Sequence, residues 1–276
     1  MNNLSFISIL VTLLSSLTAN AKSYYEYVDS ADIYINAAEW DKAERSIIKA
    51  LKLEPSNYNN SLLLSNLATI QRMQGRYREA VNNYTVALSM TPNAVTLLNN
   101  RGILYLEIDS IVKAKSDFIR AMELDDKDIE SRYYCTLILI RNKEYDNAQS
   151  LINQIREIEP VALEATDASA KLYQAQKKYH EAIRNYNQLI KNEPQIGWLT
   201  NRAECYLATK LYSKASGDIN DVLKQDPENG YVYLLKAYLK KHQFENEESV
   251  KNLELAVKYG INPDYAKYFV NSDEIY

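Results

Sequence analysis

Alanine stands at positions 43, 80, 114, 148, 182 and 215, and twelve residues after each of the first, second, fourth, fifth and sixth comes a proline, at 55, 92, 160, 194 and 227. Asp126 occupies the corresponding place after Ala114, so the proline intervals of 37, 68, 34 and 33 describe one period with a single proline missing. A chain that keeps such a period is built from repeated supersecondary units, because self-similarity of this length marks a stack of similar modules.

The period holds two helical patterns. With the alanine set as position 20, small residues recur at position 8 as Ala31, Ala68, Gly102, Ala170 and Ala203, Thr136 being the exception. Tyr34, Tyr105, Tyr173 and Tyr206 stand at position 11, and Trp40, Tyr77, Tyr145, Tyr179 and Tyr212 at position 17. Position 24, four residues past the alanine and so on its helical face, is Ile47, Tyr84, Phe118, Ile152, Tyr186 or Ile219. Two small faces let two helices approach closely. Proline lacks an N–H and forces its predecessor into extended geometry, so it ends the second helix. Glycine and proline number six each, leaving few turn formers for a many-stranded β fold.

A unit of this length with a small residue at 8, tyrosine at 11, a ring at 17, alanine at 20, an apolar or aromatic residue at 24 and proline at 32 resembles the tetratricopeptide repeat. The expected class is all-α, a right-handed α-solenoid of about seven helix-turn-helix repeats with a C-terminal capping helix. The repeats are placed near 24–57, 61–94, 95–128, 129–162, 163–195, 196–229 and 230–261, and the cap over 262–276. The seventh is degenerate, with Ser249 at the alanine position and Pro263 two residues late. In the cap, Tyr265, Tyr268 and Phe269 are expected to cover the last repeat. One unit alone buries too little apolar surface to offset the entropy of ordering its backbone, so the units must stack.

Residues 1–21 carry no charged side chain, run apolar from Leu4 to Leu17 and end in Ala19-Asn20-Ala21. This reads as an export signal, cleaved before Lys22 or kept as an anchor, and implies a periplasmic or secreted protein of a Gram-negative bacterium. The net charge of −4 argues against nucleic acid as a partner, and no later apolar run approaches membrane-spanning length.

The resemblance implies a groove lined by first helices that holds a peptide or protein segment. On that basis the contact residues are Asn66, Asn99, Asn100, Tyr133, Tyr134, Leu137, Arg141, Lys171 and Asn201. An amide donates and accepts at once and so suits an extended backbone, and Tyr133-Tyr134 is the expected hot spot. The family's clamp for terminal carboxylates needs lysine at 5 and asparagine at 9 in one unit, a pairing absent here. The alternative is a glycan or peptidoglycan-fragment binder using Tyr133, Tyr134, Asn99 and Asn100.

No catalytic set, metal set or cofactor motif is expected. His180 and His242 lie in different repeats, neither spaced with cysteine or carboxylates as a metal set requires. Cys135 and Cys205 fall two repeats apart, beyond the ~7 Å that a disulfide tolerates between α-carbons. An enzyme would require Asp167 and Glu204 to meet in a dry pocket.

Overall fold

The computed structural model describes residues 22–272; the expected export signal over 1–21 lies outside them. The chain divides into two compact units at Asp126 and Lys127. The first unit holds three helix pairs: α1 (Tyr24–Asn36) with α2 (Trp40–Leu53), α3 (Asn60–Met73) with α4 (Tyr77–Met90), and α5 (Val95–Glu107) with α6 (Ile111–Leu124). The second holds four: α7 (Ile129–Arg141) with α8 (Tyr145–Ile158), α9 (Leu163–Ala175) with α10 (Tyr179–Asn192), α11 (Ile196–Ala208) with α12 (Tyr212–Gln225), and α13 (Gly230–His242) with α14 (Asn246–Lys258). A short α15 (Pro263–Val270) closes it. All regular structure among the described residues is helical.

The six periodic alanines are all 0% exposed. The position-24 side chains Ile47, Tyr84, Phe118, Ile152, Tyr186 and Ile219 are buried as well. At Gly102 a β-carbon would lie 2.7 Å from Phe118 Cε1, so a larger residue there requires that ring to shift. Thr136, the polar exception at position 8, is fully buried and donates its hydroxyl to the Arg132 carbonyl at 2.7 Å. Ser249 replaces alanine in the degenerate repeat without cost in unpaired groups, because its buried hydroxyl donates to the Ala237 carbonyl of the facing helix at 2.8 Å.

Every pair turns in the same way. Ala38, Gly75, Asp109, Lys143, Lys177, Lys210 and Phe244 each follow the first helix by the same number of residues, and all have positive φ, between 55° and 74°. The next amide then reaches back to the last turn, as Glu144 N to Leu139 O at 2.9 Å and Leu211 N to Tyr206 O at 2.8 Å. This is the left-handed cap that satisfies orphan carbonyls at a helix end.

Helix α15 packs on the last pair through Phe269, as expected, but not through the two tyrosines expected beside it. Ala266, Phe269 and Val270 are buried, whereas Tyr265 is 47% and Tyr268 68% exposed. Phe269 reaches the rings of Tyr238 and Tyr231 at 5.7 and 6.5 Å between centroids. Residues 266, 269 and 270 share one helical face, and the two tyrosines fall to its sides. Asn262 caps the helix by accepting from the amides of Asp264 and Tyr265.

Candidate functional site

Within the second unit, the first helices of successive pairs are joined by a row of polar side chains. Asp167, on α9, is buried and accepts hydrogen bonds from both neighbouring first helices: Tyr133 Oη on α7 donates to Oδ2 at 2.5 Å, and Trp198 Nε1 on α11 donates to Oδ1 at 2.9 Å. Lys171, one turn along α9, donates to the same Oδ2 at 2.6 Å and to Tyr133 Oη at 2.9 Å. Its ammonium lies 5.4 Å from the centre of the Tyr133 ring. Glu204, on α11, repeats the arrangement one layer on. Gln174 Nε2 of α9 donates to its Oε2 at 2.6 Å, and Tyr231 Oη of α13 donates to its Oε1 at 2.8 Å.

The electrostatics follow from burial. Removal from water, reinforced by the Asp167 carboxylate, raises the Tyr133 phenol, so it stays a proton donor. Burial likewise raises Glu204 above the ordinary carboxyl range, against the opposing effect of its two donors. The Cys205 thiol is pushed up to about 12 by burial and by Glu204 beside it, leaving it without thiolate character at neutral pH. Cys135 and Cys205 are both buried, and neither is in a disulfide.

The Asp167 network floors an open depression of about 390 Å³, with Leu163, Glu164, Gln195, Gly197 and Asn201 around it. Tyr133, Lys171 and Asn201 all line it. The ring of Tyr134 meets that of Tyr133 edge-on, 5.2 Å between centroids. Leu137 is half-buried and Arg141 exposed. Asn66, Asn99 and Asn100 belong to the first unit. Asn66 and Asn100 are half-buried, but Asn99 is 1% exposed and so corrects the expectation that it contacts a ligand. Trp198, Glu164 and Tyr231 are members of the site that the sequence reading missed. A tryptophan on a first helix outside the packing positions 8 and 11 is the signal that marks Trp198.

Asp167 and Glu204 sit in separate hydrogen-bond sets, and each of their four oxygens already accepts at least one donor. They are placed as fixed acceptors. No group of three or more histidine, cysteine, aspartate or glutamate residues among the described residues is arranged to hold a metal ion. A larger depression of about 630 Å³ in the first unit is walled by α6, and its acids are paired, Asp117 with Arg101 and Glu123 with Arg120.

The family model for the tetratricopeptide repeat matches residues 63–95 and, in a second version, 168–230. These matches fall on the helix pairs α3–α4, α9–α10 and α11–α12. A tetratricopeptide repeat protein from Parabacteroides merdae superposes with a TM-score of 0.75 at 29% identity, covering 90% of this chain and 97% of that one. The Cut9–Hcn1 assembly of the anaphase-promoting complex superposes at 0.69 with 13% identity over 93% of this chain and 57% of that one, a likeness of fold alone. Among curated proteins, the human protein O-mannosyl-transferase TMTC3 is 30% identical over 112 residues, 40% of this chain. The photosystem I assembly protein Ycf3 of Synechococcus sp. is 30% identical over 96 residues, 35% of this chain. The matched stretches span 12% and 56% of those two proteins. No helix among the described residues is long and apolar enough to cross a membrane.

Proposed function

We propose that the chain is an exported interaction scaffold, periplasmic or secreted, whose tetratricopeptide repeats hold an extended segment of a protein partner along the first-helix face of the second unit. The observation that carries this reading is the row of fixed donors and acceptors running from Tyr133 through Asp167 and Trp198, and from Gln174 through Glu204 to Tyr231. Such a row costs little further ordering when a ligand arrives, because its members already hold one another in place. The charge-free apolar stretch before Lys22 supports export. The name of Ycf3, an assembly protein, accords with a role in organising other proteins.

The glycan alternative draws on Asn99, which is buried. We therefore favour the polypeptide. In-cell photocrosslinking from Tyr134, compared with Lys178 on the exposed interhelix turn, tests this reading. Capture of one protein from Tyr134 and none from Lys178 is expected; the reverse pattern overturns it. Fractionation of the cells that carry the protein tests export, and recovery wholly in the cytoplasm overturns that part.

A further inference from the structure

The depression above Asp167 has an uneven charge. Of its three charged side chains, Asp167 and Lys171 are satisfied by each other and by Tyr133 and Trp198. Glu164 is the third. It is exposed on the rim, and among the described residues it makes no hydrogen bond or ion pair. The site thus presents one uncompensated negative charge beside an indole whose N–H edge is tied down, with Leu163 as a second apolar wall. Gly197 leaves the mouth open, since a β-carbon there would meet nothing within 4 Å. The volume of about 390 Å³ lies at the small end of ligand sites, enough for one long side chain.

We propose that this depression accepts an arginine or lysine side chain of the partner segment, its alkyl stem against Leu163 and Trp198 and its charge facing Glu164. This assignment rests on the first-helix face being the one that binds polypeptide. A cation is favoured because an aromatic face and a carboxylate both attract it, whereas an anion would meet the Glu164 charge and a lysine whose own charge is already offset by Asp167. The amides of Gln195 and Asn201 flank the opening and can meet a peptide backbone on either side.

The test is titration of the full chain, labelled with nitrogen-15, with Nα-acetyl-arginine-N-methylamide while the Trp198 indole resonance is followed. Neutral citrulline and anionic glutamate analogues with the same blocked ends, and free putrescine, serve as comparison probes. A saturable shift is expected, about tenfold weaker with the citrulline analogue. Glu164→Gln, at an exposed position where folding is not at issue, should weaken it by a similar factor. Gly197→Leu should abolish it by filling the mouth, with an unchanged circular dichroism spectrum. Equal binding of the citrulline analogue, preference for the glutamate analogue, putrescine binding as tightly as the arginine probe, or full binding by Gly197→Leu would each overturn the proposal. Because these probes need no natural partner, a negative result here leaves the crosslinking from Tyr134 as an independent test of the scaffold itself.

Discussion

Arg101 and Asp117 face each other across a helix pair through two parallel hydrogen bonds, Nε to Oδ2 at 2.8 Å and Nη2 to Oδ1 at 2.7 Å. Arg202 and Asp218 reproduce this three repeats later at 2.8 and 2.6 Å. In both places the guanidinium also lies 5.6 Å from a tyrosine ring one turn on, Tyr105 or Tyr206, whose other neighbour is a lysine of the second helix. The four ion-paired side chains are at most 18% exposed. Removing one partner leaves a poorly solvated charge, so Asp117→Ala and Asp218→Ala should each cost about 2 kcal/mol. Urea unfolding measures this. In a double-mutant comparison Arg101→Lys should keep less than half of the coupling to Asp117, because an ammonium cannot form the two-pronged contact.

The left-handed turn residues carry a second expectation. Six of the seven have a β-carbon, which is strained at positive φ. Lys143→Gly and Lys210→Gly should each stabilise the protein by about 0.5–1 kcal/mol, the relief of strain outweighing the added freedom of the unfolded chain. Gly75→Ala should do the opposite. Shifts in the urea midpoint at constant slope check all three.

Two helical glycines should respond with opposite signs. Gly102→Ala drives a methyl into Phe118 and should cost about 1–3 kcal/mol. Gly217→Ala, which meets nothing within 4 Å, should gain up to about 1 kcal/mol from helix propensity. Thermal melts followed at 222 nm would separate them, and equal effects would mean that the Phe118 ring moves aside freely.

The capping helix gives a contrast of the same kind. Phe269→Ala removes a ring that is 5% exposed and touches Tyr231 and Tyr238, at a cost of about 3 kcal/mol or more. Tyr268→Ala should stay within about 0.5 kcal/mol. Hydrogen exchange in α13 and α14 reads the difference directly, since loss of the cap should speed exchange there first.

Glu204 adds a pH dependence. Its folded value is raised by burial, so its contribution to stability is complete below the unfolded carboxyl range and is lost as pH rises through the folded value. Cys205, Tyr186 and Tyr231 beside it are all raised by burial and stay neutral over that window. The melting temperature of the unaltered protein relative to Glu204→Gln should therefore fall as pH rises above the ordinary carboxyl range. A constant difference would show that Glu204 titrates in the fold as it does unfolded.

The interval of alanine and proline determined that this chain makes helix pairs, because close approach of two helices and the end of the second are local requirements that each unit must meet for itself. Which side of α15 is buried, the loss of Asn99 to the interior and the joining of Tyr133 to Asp167 were decided only by tertiary structure. Tyr133 and Asp167 stand 34 residues apart, the same place in consecutive repeats, and nothing in either local sequence says that one hydroxyl will reach the other. Stacking makes them neighbours, and burial then turns a hydroxyl, an indole and an ammonium into the fixed partners of one carboxylate.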